Sequence, residues 1–475
     1  MTADTAPSAP SRLVIRRAEL ADGSVQDVLV EQGVIRAIGP ALAVADAVEI
    51  AAAGGRLLPG LADHHLHLAA TTVGRQSVPC GPPEVDGPEA LARALAAAPG
   101  SGWIRGIGYH ESVAGLPTCT MLDEIVADRP LRIQHRSGRM WFFNSAGLDR
   151  LLSCGEPLPD GLEHSGGVWT GRLFDADAWL RRALVGTMPD FTETSATLAR
   201  WGVTALTDMS VANGLAEARH FRAQKDSGAL RQKIVLAGSL ELAGMTPQHA
   251  LARGAFKLHL HEAHLPDWSE TLARMGAARQ QDRGTAIHCV TEAELAFAIG
   301  LLAELGPVPG DRIEHGSVVS DGLRDALAGL AVPVVVQPAF VTARGDRYLA
   351  DIPAEEWPWL YRLAGLQQAG LVLAGGSDAP YGPLDPWEAM RAAVERRTAS
   401  GAPFGPAEAL SPEAALALYL ADPLDLRRTR RVAPGEPGDL CLLDRPWREA
   451  RTSLDAGLVR LTLIDGRIVF DRDRD

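Results

Sequence analysis

Apolar positions along this 475-residue chain change their period twice. From Arg12 to about Leu58 they fall in short alternating runs: Leu13-Val14-Ile15, Val28-Leu29-Val30-Glu31, a Gln32-Gly33 turn, and Val34-Ile35-Arg36-Ala37-Ile38. Period-two alternation on both sides of a two-residue turn containing glycine predicts a β-hairpin that feeds a small sheet. The far end has the same texture in Asp439 to Leu443, Leu461 to Ile464, an Asp465-Gly466 turn and Arg467 to Phe470. A lone hairpin is marginal in water, so the two ends are expected to combine into one discontinuous β-sandwich, residues 12–58 with 434–475. Residues 1–11 are small, polar and Pro-containing, which predicts a disordered tail.

Between these ends the pattern becomes α/β. Eight apolar, strand-like runs are separated by helical stretches: Gly60 to Leu68, Gly202 to Met209, Gln232 to Gly238, Ala255 to His261, Thr285 to Val290, Arg312 to Ser317, Val332 to Pro338 and Leu371 to Asp378. Glu292 to Leu305 and Asp321 to Leu330 carry the Ala/Leu/Glu composition and apolar spacing of amphipathic helices. Eight β elements alternating with α elements predict a parallel (β/α)8 TIM barrel over 59–433. The rhythm breaks once, because the stretch at about 69–200 between the first two strands is far too long for a βα loop. It must be an insertion with structure of its own, partly β around Trp103 to Gly108 and Gly166 to Thr170.

Composition narrows the class only slightly. Apolar residues at 46% and charged ones at 22% are ordinary for a globular protein, and no apolar run is long enough for a membrane span. The start lacks a basic segment followed by an apolar one, so it does not read as a signal peptide, and a cytoplasmic location is expected. Five cysteines without CxxC spacing argue against a disulfide framework or a thiolate zinc site. A net charge of −13, with no basic cluster beyond Arg427 to Arg431, gives nucleic acid little to bind. The expected partner is a small-molecule substrate, and a homo-oligomer is compatible with the composition.

The chemistry sits at the strand ends. Asp63-His64-His65-Leu66-His67 follows a Pro59-Gly60 turn, and in an extended strand His65 and His67 project to one side while His64 and Leu66 face away. Lys257, His288, His315 and Asp378 each lie at or near the end of a later strand-like run. Neutral imidazoles and carboxylates suit Zn²⁺ and similar ions, so the set offers a shell for one or two divalent metals. Each residue also has a plain reading: Lys257 as a barrel lysine paired with a carboxylate, His288 and His315 as satisfied core histidines, Asp378 as a helix N-cap. Their joint placement on strands 1, 4, 5, 6 and 8 is what the plain readings leave unexplained.

This layout resembles the amidohydrolase superfamily over nearly the whole chain, from Leu58-Pro59-Gly60-Leu61 through Gly376-Ser377-Asp378-Ala379-Pro380 to Leu463-Ile464-Asp465-Gly466. The segments His135-Arg136-Ser137-Gly138, Asn144-Ser145-Ala146, Thr170-Gly171 and Arg312-Ile313-Glu314-His315 resemble the amidohydrolase 3 subgroup that contains N-substituted formamide deformylase. The resemblance implies hydrolysis of a non-peptide C–N bond, in an amide or N-acyl type substrate, by a metal-bound hydroxide. Asp378 then serves as general base and acid. It also implies that Lys257, placed as the carboxylated lysine of the hydantoinase branch, takes up CO2. The resulting carbamate would bridge one ion held by His65, His67 and Asp378 and another held by His288 and His315.

The departures bear on substrate. After Lys257 the chain reads Leu258-His259-Leu260-His261-Glu262-Ala263-His264, where the subgroup usually has an Asp-Gly pair, and Arg139 stands where it commonly has a histidine. Alternation carries His259 and His261 to the Lys257 side, which makes His261 and Glu262 candidate substrate contacts, together with Arg136, Arg139, Gln337 and Tyr381. Two other functions stay open at this point. One is a mononuclear deaminase of a cyclic amidine, needing only His65, His67, His288 and Asp378; the other is a non-catalytic hydantoinase-like scaffold.

Overall fold

The computed structural model describes residues 12–82, 84–184 and 188–474, so the tail expected at 1–11 lies outside the described residues. Contacts divide the chain into two units, one comprising the residues up to Thr71 with those from Asp190 on, the other Thr72–Pro189.

The first unit contains an eight-stranded sheet of parallel neighbours: β1 (Leu61–Leu66), β2 (Val203–Asp208), β3 (Lys233–Gly238), β4 (Leu251–His259), β5 (Thr285–Cys289), β6 (Arg312–His315), β7 (Val334–Val336) and β8 (Leu373–Gly375). All eight expected strands are present, with β4 starting earlier and ending sooner than its apolar run suggests. The first and last strands meet at their C-terminal ends, where the Asp378 N–H donates to His65 O (2.7 Å) and the His67 N–H to Ala379 O (2.9 Å). Glycine makes that approach possible: a Cβ on Gly376 would lie 2.6 Å from the His65 Cβ. Helices cover the sheet as expected, including Glu292–Leu305 and Asp321–Leu330. The first of these opens on a capping box, Thr291 accepting from the Glu294 N–H while the Glu294 carboxylate accepts from the Thr291 N–H.

Both chain ends build a sandwich in the same unit. One sheet orders Val34–Gly39, Val25–Glu31, Arg12–Glu19 and Val48–Ala51; the other orders Arg467–Asp471, Val459–Ile464, Leu440–Leu443 and Leu57–Pro59. Leu13, Ile15, Val28 and Ile35 from the first share a buried cluster with Leu57, Leu440, Leu442 and Leu463 from the second. Both predicted turns have the left-handed backbone that a type I′ hairpin needs, Gln32 and Gly33 at φ 50° and 79°, Asp465 and Gly466 at φ 49° and 69°.

The second unit is a six-stranded mixed sheet, ordered Leu162–Ser165, Val168–Phe174, Met140–Phe143, Leu131–His135, Ile104–Tyr109 and Val78–Pro79, with its own apolar clusters around Leu131, Ile133 and Phe142 and around Trp141, Phe143 and Leu173. No helix among the described residues is long and apolar enough to cross a membrane, and all five cysteines are free thiols.

Candidate functional site

The C-terminal ends of β1, β4, β5 and β6 and the turn after β8 surround a cavity of about 600 Å³. His65, His67, Lys257, His288, His315 and Asp378 all line it. His65 and His67 project to one side, as strand alternation requires, and their Nε2 atoms lie 3.4 Å and 3.2 Å from one oxygen of Asp378. His65, His315 and Asp378 bring potential ligand atoms within 4.8 Å of one another. His288 packs edge to face on His315 with ring centres 4.4 Å apart.

Three of the imidazoles that line the cavity have a partner on Nδ1. Glu314 accepts from His65 at 2.5 Å and Gln337 Oε1 from His315 at 2.8 Å, and Ser210 Oγ shares a hydrogen bond with His67 Nδ1 at 3.1 Å. An acceptor on Nδ1 keeps the proton there and leaves the Nε2 lone pair free for a cation. Glu314 is itself fixed by Arg312, whose guanidinium also reaches His64 O. Burial pushes the Glu314 carboxyl up, but Arg312 more than offsets this, so it stays below its usual range and ionised. Ser210 is placed by Asp208, which accepts its N–H and that of Leu68. Asp63 ties the two closing strands together, one of its oxygens accepting from the His65 N–H (3.0 Å) and the Ser377 N–H (3.1 Å), and burial raises its pKa to about 7.

The electrostatics favour neutral nitrogen donors. Burial, then the neighbouring Lys257 charge, holds His65 well below the usual histidine range, and burial with the nearby His65 does the same to His315. His288 is lowered to about 3, by burial first and the stacked His259 second. Lys257 is buried, lowered by desolvation, and its Nζ has no hydrogen-bond partner among the described residues. A buried ammonium without a partner is costly, which weights the balance against its charged form. The orphaned amine, with imidazole lone pairs and a carboxylate beside it, fits a site that can bind a further group.

The remaining candidates separate. Tyr381 lines the cavity, its ring centre 5.7 Å from that of His67. Gln337 is buried and spends its carbonyl on His315, so it is a support for the imidazole and not a cavity contact. The alternation expected to bring His261 to the Lys257 side stops with β4 at His259; His259 lines the cavity, whereas His261 and Glu262 are exposed beyond the strand and are not among its walls. His261 instead lies against His264, and the Glu262 N–H donates to Glu294. Arg136 and Arg139 belong to the second unit, both exposed, with Arg139 forked onto Asp175 at 2.7 and 2.6 Å.

Two contributions had escaped the sequence reading. Glu314 was quoted there only as part of a run, because alternation puts it and His315 on opposite faces; the left-handed backbone of His315, φ 73°, turns that side chain to the mouth as well. The far wall comes from Phe340, Arg344 and Tyr348 on the helix Ala339–Asp351, with Tyr361. Their i, i+4, i+8 spacing on one helix face was the available signal.

Comparison with known sequences agrees with this geometry. The sequence pattern of the amidohydrolase family matches residues 48–470. The chain belongs to the amidohydrolase family. It is therefore a hydrolase of carbon–nitrogen bonds. This amidohydrolase is 25% identical to the N-substituted formamide deformylase of Arthrobacter pascens over 96% of this chain and 97% of that protein. Among solved structures, an uncharacterised metal-dependent hydrolase of Pyrococcus horikoshii has the same fold, with TM-score 0.76 and 19% identity over 96% of this chain and 99% of the other. A second, from Pyrococcus furiosus, matches with TM-score 0.75 and 20% identity over 91% and 99%.

Proposed function

We propose that the amidohydrolase hydrolyses an amide or N-acyl small molecule at a divalent metal centre in the barrel mouth, in a cytoplasmic setting that suits its free thiols. The observation that carries this reading is the buried, unpartnered Lys257 Nζ among imidazoles whose Nε2 atoms are free. His65, His67 and Asp378 would hold one ion, zinc-like by donor type, and His288 and His315 a second. The Lys257 amine would add to CO2, an N–C bond forming as one C=O becomes carboxylate and a proton leaves to water, and the carbamate would supply an anionic ligand beside both sets of donors. Zinc, when bound, supplies Lewis acidity and draws the pKa of water from 15.7 toward about 7. Asp378, at the mouth beside both β1 imidazoles, takes the proton of the attacking water and returns it to the leaving nitrogen. Glu314, Gln337 and Ser210 keep the imidazoles aimed. Similarity to a protein named for formamide deformylation supports an N-acyl substrate. We assign this chemistry to a barrel of residues 59–433 with the insertion at about 69–200, and the terminal strands, 12–58 with 434–475, to a separate sandwich domain.

One observation favours a one-ion site, as in an aminohydrolase of a cyclic amidine: His65, His315 and Asp378 are the cluster whose ligand atoms already lie within 4.8 Å. Metal analysis separates the two. Protein made with zinc and bicarbonate is expected to carry about two ions per chain, falling to about one in Lys257→Ala. A single tightly held ion, unchanged by that substitution, would remove the carbamate bridge and leave the mononuclear reading.

A further inference from the structure

The cavity wall carries an exposed cation, Arg344, that forms no ion pair among the described residues. Arg344 lines the cavity from the helix Ala339–Asp351. Its guanidinium carbon stands 4.2 Å from the centre of the Phe340 ring, and one terminal nitrogen donates to Tyr381 O at 2.6 Å. These two contacts hold the head group in place but use a single N–H of the five that arginine offers. The acids nearest in sequence are engaged elsewhere, Asp346 with Ser400 and Asp351 with Arg347. Among the described residues no carboxylate pairs with Arg344. Stacking on an aromatic face occupies the flat side of a guanidinium and leaves its edge, where a carboxylate binds through two parallel hydrogen bonds.

The rest of the lining says what accompanies that carboxylate. Val211 and Val290, two large apolar side chains left exposed, line the same cavity together with Phe340 and Tyr348. A volume of about 600 Å³ suits a small molecule with one apolar arm. The chain as a whole carries −13, which repels anions, so an unpaired arginine in this cavity runs against the general charge and acts locally.

We propose that Arg344 is the specificity-determining residue of this cavity and selects N-acyl compounds that carry a carboxylate next to an apolar N-substituent, of which an N-acylated apolar amino acid is the simplest form. The proposal rests on the hydrolase reading of the same cavity. Phe340 holds the guanidinium flat, Tyr381 O fixes its rotation, and the free edge takes the carboxylate while the apolar arm lies along Val211 and Val290.

The test compares N-formylleucine with N-isopentylformamide, which is the same molecule without the carboxylate. Both are offered to the metal-loaded enzyme as wild type, Arg344→Gln and Arg344→Lys, with kcat/KM and calorimetric Kd measured for each. Loss of a charge-assisted bidentate contact should reduce the acid-to-amide ratio of kcat/KM, and the corresponding ratio of affinities, by on the order of 10- to 100-fold in Arg344→Gln, with part retained in Arg344→Lys. Ratios that are the same in all three proteins, or a wild type that binds neither compound, overturn the proposal. Tighter binding of the acid that depends on Arg344, without turnover of either compound, upholds the role of Arg344 and counts against hydrolysis of N-acyl substrates instead.

Discussion

Arg283 and Lys257 are both buried cations of the barrel, and both lie against β4, yet their surroundings are opposite. Arg283 donates to the carbonyl oxygens of Gly238, Ser239, Gly254 and Ala255 and is consumed by them. Lys257, two residues beyond Ala255 on the same strand, donates to nothing. Folded proteins rarely leave a buried polar atom unpaired, because each such atom costs about 1–3 kcal/mol. A cation whose donors are all used closes the strand ends it touches; a cation with none used is held ready for a partner that the chain does not itself contain. The same contrast separates Arg312, paired to Glu314, from Arg344, paired to no acid.

The comparison is broken or sharpened by substituting on each side of it. The largest effect is expected at the mouth, where Asp378→Asn keeps size and one oxygen but removes the proposed proton acceptor. Turnover should drop about 10²–10⁴-fold with the circular dichroism spectrum unchanged; near-normal turnover would hand the proton to another group. On the structural side, Arg283→Met strips the donor from four carbonyls, one buried and three part-buried. It should lower stability by about 3 kcal/mol, read in a chain of this size as a fall in melting temperature of roughly 3 °C, with zinc per folded chain unaltered. A stable Arg283→Met protein would mean that those carbonyls find water, and the contrast with Lys257 would lose its meaning.

A smaller effect follows from the imidazoles. His65, His288 and His315 are all depressed in the folded protein, His288 from 6.5 to about 3. Below about pH 6.5 the unfolded chain binds protons that the folded one refuses, so stability is present above that pH and is lost as pH falls toward 3. The unfolding free energy of metal-free protein is expected to be lower at pH 5 than at pH 7, by on the order of 1 kcal/mol for each of these groups, and His288→Gln should flatten the dependence. An identical slope in that variant would show that His288 is charged in the fold.

The barrel was legible because parallel strands buried on both faces read as apolar runs, and because Glu292–Leu305 and Asp321–Leu330 carry their period openly. Four strand ends and one turn also announced the cavity, since His65, His67, Lys257, His288, His315 and Asp378 stood at run ends and all line it. What stayed hidden depends on backbone that composition does not encode. Nothing in the residue types says that His315 and Asp378 adopt φ of 73° and 52°, yet the first of these brings Glu314 and His315 to the same site. The end of β4 at His259 was equally silent, and period-two counting therefore carried His261 one step too far. Arg344 could have been found from its spacing with Phe340 and Tyr348, but helix-face spacing serves core packing more often than a cavity wall.

The edge strand Leu57–Pro59, immediately before the HxH strand, is hydrogen-bonded to Leu440–Leu443 near the other end of the chain. A ribosome must therefore complete the barrel before the strand that precedes its first imidazoles has a partner. Contacts of such long sequence separation form late and slowly, and until then the nascent chain exposes an apolar edge. For this enzyme, the strand that leads into the first imidazoles therefore stays unpaired until the segment around Leu440 has been made.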